Sequence, residues 1–183
     1  MTNMTRRGLM VGGAAVALAA CDNSVGSQGA DTIDRRVTAA LDYMYRTYPE
    51  TQELRDKSAG MLVMPLVGEA GFMVGGSYGE GALQVDGVTV DYYSATQASL
   101  GFQIGAQQYA YVLFFLTPDS LRRFRTSPGW DGGAGAEFTG GDVGGALKAS
   151  TVTSNAAIAF LFAQQGLMAG ATVEGTKYTR ILR

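Results

Sequence analysis

The sequence contains no histidine and a single cysteine, Cys21. Without imidazole there is no Ser-His or Cys-His triad and none of the usual zinc sites. With one thiol, no intramolecular disulfide can form. Charge is sparse too: 16% of residues are charged, and the formal net charge of -2 gives no global attraction to nucleic acid, so any basic site must be a local patch. What replaces charge is small and apolar. The chain has 26 glycines and 46% hydrophobic residues, which suits a tight β architecture better than a charged helical bundle. Its 183 residues fit one domain with a sizeable core.

The N-terminus carries the most specific signal. Residues 1–20 have a short polar start, the pair Arg6-Arg7, and an apolar run over residues 9–20. That run of about 12 residues is too short to span a bilayer and right for the core of a signal peptide. The twin arginines resemble a Tat export signal, and Leu18-Ala19-Ala20-Cys21 resembles a bacterial lipobox, whose cysteine thiol is acylated, palmitate being the typical chain, and becomes the mature N-terminus. Cys21 is thus the expected lipidation site. Asp22, directly after it, resembles the signal that keeps some bacterial lipoproteins in the inner membrane. Residues 22–30 are small and polar and read as a flexible tether, leaving residues 31–183 as the domain.

Ile33, Val37, Leu41, Met44 and Tyr48 recur at helical spacing and predict a helix over residues 31–48, capped by Asp31 or Thr32 and ended by Pro49. Its polar face carries Arg35, Arg36 and Arg46, so two placements follow: the helix lies on an anionic membrane, or its apolar stripe packs on the rest of the domain. Residues 49–57 predict a second short helix with Pro49 at its first position.

From residue 59 to 117 the chain is a succession of apolar, glycine-threaded strand patterns with hardly any charge. Residues 109–116 are apolar on both alternating faces, as in a strand buried on both sides. Pro65 marks an edge or bulged strand, because proline cannot donate to a ladder. Asp86-Gly87 between valines is a two-residue hairpin signal. Glycines 71, 75, 76, 79, 81, 101 and 105 sit inside strand patterns, where they cost stability unless the sheet bends, bulges or is approached by another backbone. Beyond this, Thr117-Pro118-Asp119-Ser120 starts a short helix near residues 118–126. Leu121 and Phe124 face inward there, while Arg122, Arg123 and Arg125 crowd the surface with no acid among them. This is a candidate headgroup site, since arginines hold phosphate through forked hydrogen bonds. Trp130 follows, as a lid on the core in preference to an interfacial anchor. The glycine-rich stretch 131–153 predicts narrow strands and turns, residues 151–162 and 166–174 two strands about a Gln164-Gln165-Gly166 turn, and residues 177–182 a final strand.

The runs Ala59-Gly60-Met61-Leu62-Val63-Met64-Pro65, Gly71-Phe72-Met73-Val74-Gly75-Gly76-Ser77-Tyr78-Gly79-Glu80-Gly81, Gly101-Phe102-Gln103-Ile104-Gly105-Ala106-Gln107 and Gly166-Leu167-Met168-Ala169-Gly170-Ala171-Thr172-Val173-Glu174-Gly175 resemble the SYLF domain family. The resemblance covers roughly residues 31–182. It implies a lipid-binding module rather than an enzyme; phosphoinositide binding and actin bundling belong to eukaryotic members, and bacterial members are commonly small exported or lipid-anchored proteins.

The sequence therefore predicts an α+β domain: a curved, mostly antiparallel sheet that closes or nearly closes on itself like a barrel, with one or two N-terminal helices and the short helix near 118–126. The expected function is a lipid-anchored protein of the bacterial envelope, on the periplasmic side, whose domain binds phospholipid or another amphiphile without catalysis, cofactor or metal. The headgroup candidates are Arg122, Arg123, Arg125, Arg35, Arg36 and Arg46. An assembly module that binds an envelope protein is the alternative. A carboxylate hydrolase drawing on two of Glu69, Glu80, Asp91, Asp131, Glu137, Asp142 and Glu174 is least favoured, since nothing in the sequence pairs any two of them.

Overall fold

The computed structural model describes residues 28–127, 130–132, 136–140, 157–166 and 175–183. The expected signal peptide, Cys21 and most of the tether lie outside these residues, as do most of the glycine-rich stretch after residue 132 and the strand expected over 166–174 beyond Gly166.

Helix α1 (Gln28–Thr47) places Ile33, Val37, Leu41 and Met44 in the core. It begins ahead of the expected cap, so residues 28–30 are helical rather than part of a tether. Nothing in Gln28-Gly29-Ala30 stops a helix, and Asp31 sits within the first turn, where the helix dipole favours an acid. Helix α2 (Thr51–Lys57) starts two residues after Pro49, which lies in the preceding turn and not at the first helical position. That turn is closed by Thr51, whose N–H (3.0 Å) and hydroxyl (2.7 Å) both donate to the Tyr48 carbonyl.

Two long strands, β1 (Gly60–Val85) and β2 (Val88–Phe115), form a hairpin closed by Asp86 and Gly87, both at positive φ (51° and 77°), as a type I′ turn requires. Helix α3 (Pro118–Thr126) follows, then β3 (Trp130–Gly132), β4 (Ala136–Gly140), β5 (Ala157–Gly166) and β6 (Thr176–Ile181). β2 is the central strand. It pairs with β1 along its length, with β6 beside its N-terminal half and with β5 beside its C-terminal half. β3 pairs with β6, with Trp130 opposite Tyr178, and β4 lies parallel to β5. All other pairings are antiparallel. The sheet is open rather than barrel-closed among the described residues.

What takes the place of closure is a fold in the hairpin. A Cβ on Gly79 would lie 2.8 Å from the Leu66 carbonyl oxygen, one on Gly81 would run into the Val63 carbonyl, and one on Gly60 would approach the Gln84 carbonyl at 3.1 Å. β1 thus doubles back, its residues 79–84 crossing residues 60–67 with backbone against backbone. Only glycine permits this approach. The ladder is also interrupted where Pro65 and Leu66 together oppose Ala110, so the missing proline N–H falls at a bulge. In β5 the Gln164-Gln165-Gly166 segment stays in the strand. The expected turn is a bulge instead, with Ala163 at φ 54° and the register shifted between Gln108 and Ala110.

Alternation along these strands produces two cores. On one face Leu62, Met64, Tyr111, Leu113, Phe115, Ala159 and Tyr178 pack with Phe124 of α3. On the other, Met61, Val63, Val112, Phe114, Phe160 and Phe162 receive the α1 stripe. Burial of each of those four α1 side chains contributes roughly 1.5–3 kcal/mol, so the stripe is committed to the sheet and not to a bilayer. Asp34 fixes the helix in place by accepting from the Thr89 hydroxyl (3.1 Å) and the Tyr92 hydroxyl (2.8 Å).

Two outcomes follow. Gly81→Ala is expected to lower the unfolding free energy by about 1–3 kcal/mol through overpacking, whereas Gly68→Ala, whose Cβ would meet nothing within 4 Å, should stay within roughly 0.5 kcal/mol of the parent; urea melts compare them. The second concerns alkali. Burial raises Tyr111 well above 10, raises Tyr178 as well, and pushes Tyr92 up to about 12 with help from its bond to Asp34. Above pH 10 the unfolded chain gives up phenolic protons that the folded chain retains. Stability should therefore hold below pH 10 and fall as pH rises toward 12, with phenolate absorbance appearing together with loss of circular dichroism.

Candidate functional site

Helix α3 is set by its first turn. Thr117 caps it, its hydroxyl accepting from the Ser120 N–H at 3.1 Å, and Pro118 occupies the first helical position, where its missing N–H costs nothing. This orientation drives Phe124 into the core, with ring centroids 4.7 Å from Tyr93, 4.8 Å from Phe115 and 5.9 Å from Tyr178. Leu121 packs at the edge of the same cluster. Arg122, Arg123 and Arg125 are left on the outer surface.

The arginines are not free of acids, as the sequence suggested. Arg122 and Arg123 both pair with Asp119, one turn back on the same helix, the latter at 2.9 Å. Arg125 reaches across to Asp91 of β2 at 3.0 Å, and Arg180 of β6 meets the other oxygen of the same carboxylate at 2.5 Å. The Asp91 side chain is 2% exposed, while Arg125 and Arg180 are 44% and 60% exposed. One buried carboxylate therefore fixes two guanidinium groups whose outer N–H groups remain in solvent. Arg122, Arg125 and Arg180 line a depression of about 500 Å³ together with Pro118 and Leu121. Four arginines against two aspartates leave a local excess of positive charge.

Arg180 and the role of Asp91 were not legible in the sequence, because the pairing of Tyr93 with Arg180 joins segments far apart in the chain. Conversely, Arg35, Arg36 and Arg46 belong to α1, which packs on the opposite face of the sheet from α3. Arg35 donates to the Thr32 hydroxyl (3.1 Å) and Arg46 to the Asp42 carbonyl (3.0 Å). The six arginine candidates thus fall into two separate groups, and Cys21 lies outside the described residues.

The carboxylates are individually engaged. Glu69 accepts from the Gln107 amide at 2.7 Å, Glu80 accepts from the Tyr78 hydroxyl at 2.7 Å and pairs with Arg183, and Asp91 holds its two arginines. Asp131 and Glu137 fall in β3 and β4, whereas Asp142 and Glu174 lie outside the described residues. Among the described residues no group of three or more metal-ligating side chains comes together, and no helix is long and apolar enough to cross a membrane.

Asp91→Ala is expected to lower stability by about 1–3 kcal/mol, the exposed arginines regaining water. Arg125→Ala should cost less, since Arg180 still pairs with the carboxylate; thermal melts of the two variants give the order.

No curated protein matches the chain. Residues 96–180, from the middle of β2 through β6, match the family model Ysc84, described as a Las17-binding protein actin regulator. This segment, which supplies α3, Arg180 and the strands that hold them, is similar to the Ysc84 (SYLF) family.

Proposed function

We propose that this domain is a non-catalytic module that binds anionic phospholipid through the α3 face, and that Cys21, acylated after export, holds it at the periplasmic side of a bacterial envelope membrane. The observation that carries the reading is the convergence of Arg122, Arg125 and Arg180 on one depression beside Pro118 and Leu121. Guanidinium groups already oriented by Asp91 and Asp119 can turn their remaining donors toward phosphate oxygens. Near an anionic surface each basic side chain contributes about 1 kcal/mol. Leu182, two residues beyond Arg180, is 70% exposed and supplies an apolar contact at the headgroup boundary. The family model's description names a binding protein, which agrees with binding over chemistry.

The α1 arginines are not part of this surface, because their helix uses its apolar stripe against the sheet. The separate proposals for the N-terminus rest on the Arg6-Arg7 pair and the lipobox-like residues 18–21. Flotation of the domain without residues 1–21 on phosphatidylglycerol vesicles should recover it, with much weaker recovery on phosphatidylcholine or at high salt. Replacing Arg122, Arg123 and Arg125 together by alanine should reduce that binding roughly tenfold or more. A domain that ignores both vesicle types refutes direct lipid binding and leaves capture of an envelope protein as the function.

A further inference from the structure

The hairpin turn and the last residues after β6 leave apolar side chains in solvent at the end of the domain that carries the α3 arginines. Val88 is 63% exposed, Val90 40% and Leu182 70%, three of the six large hydrophobic side chains exposed among the described residues. Strand register places them. Val88 pairs with Val85, which lies two residues along β1 from Leu83, and Leu83 pairs with Asp91. Val88 and Asp91 therefore share one face of the hairpin, the face on which Arg125 and Arg180 meet Asp91. Leu182 stands two residues beyond Arg180, and alternation carries it to the same face. Val90 is the extra residue where the register shifts between Thr89 and Asp91. The turn is held firmly. One residue from Val88, the Thr89 hydroxyl donates to Asp34 of α1 at 3.1 Å, and the Gln84 carbonyl comes up against Gly60 beside Leu121 of α3.

We infer that this hairpin tip is a membrane-insertion wedge: Val88, with Val90 and Leu182, enters the boundary between headgroups and acyl chains of an anionic bilayer while Arg122, Arg125 and Arg180 contact lipid phosphates. The inference rests on the lipid reading of the α3 face and deepens it. Apolar side chains fixed at an exposed tip gain by leaving water, and a rim of charge around them marks a surface with an occupant. A soluble anion would engage the arginines and leave Val88 and Leu182 wet. A bilayer takes up both chemistries at once. Asp86, exposed in the turn, sets the depth, because a carboxylate is costly in hydrocarbon and stops the tip at the boundary.

The test uses the full chain carrying Cys21→Ser, with a single new cysteine at Val88→Cys, Leu182→Cys or Ala98→Cys labelled with the environment-sensitive fluorophore NBD. Ala98 is exposed on β2 well away from the turn, so its label reports mere proximity to the vesicle, including any attachment through residues 1–20. On phosphatidylglycerol vesicles the labels at positions 88 and 182 are expected to shift to the blue and to be quenched by phospholipid spin-labelled near the top of its acyl chain, while the label at 98 keeps its emission in buffer. In flotation of the domain without residues 1–21, Val88→Thr with Leu182→Ser should weaken binding roughly tenfold. If that domain floats and the labels at 88 and 182 stay as wet as the one at 98, insertion is overturned and the headgroup reading stands. If it does not float, the headgroup reading fails and the inference fails with it. Should a label disturb the fold, unchanged binding by the double variant overturns the inference on its own.

Discussion

The crossing of β1 over itself is the constraint on which the rest of the domain depends. At Gly79 and Gly81 one stretch of backbone rests on another with no side chain between them, closer than the roughly 10 Å at which side-chain-covered sheets pack. The crossing returns the hairpin's turn to the neighbourhood of its own root, where Gly60 meets the Gln84 carbonyl and Leu121 of α3. Doubling the sheet in this way converts a two-faced ribbon into an enclosed aromatic core plugged by Phe124 and an outer apolar face that α1 covers. It also places Asp91 of the turn-proximal β2 beside Arg125 and Arg180, so the charge arrangement on α3 is a product of the same crossing.

Local chemistry made some of this legible in advance. Asp86-Gly87 closes the hairpin because both residues tolerate positive φ, and Pro65 falls at a bulge because it has no N–H to give. Thr117-Pro118 begins α3 because cap and proline act within one turn. The stripe of Ile33, Val37, Leu41 and Met44 was equally plain, although its partner was not: an amphipathic period states that a face needs covering, and only tertiary structure states with what. The density of glycine in β1 announced a bend or a close approach without saying which glycines lie at the crossing.

Features built from distant segments were illegible for a corresponding reason. Arg125 of α3 read as uncompensated because Asp91 is far away in sequence, and Arg180 read as one polar position of an alternating strand. The Gln164-Gln165-Gly166 segment has turn-like composition, yet β2 offers it a continuous ladder and the extra residue is absorbed at Ala163. Propensity yielded there to pairing. In the α3 cluster, the anion binding proposed above would gain from the buried Asp91: by holding two guanidinium groups in place, it would reduce the side-chain entropy lost when they contact an anion.

The doubled hairpin gives the domain a polarity. Its root, its turn and α3 share one end, and the Asp34 bonds to Thr89 and Tyr92 bring the N-terminal half of α1 to that end as well. The bend lies at the other end, about ten strand residues or roughly 30 Å away at about 3.3 Å per residue. A bilayer seated against the arginines would therefore leave the bend facing away from the lipid, lifted clear of the headgroups and within reach of whatever fills the space beyond them.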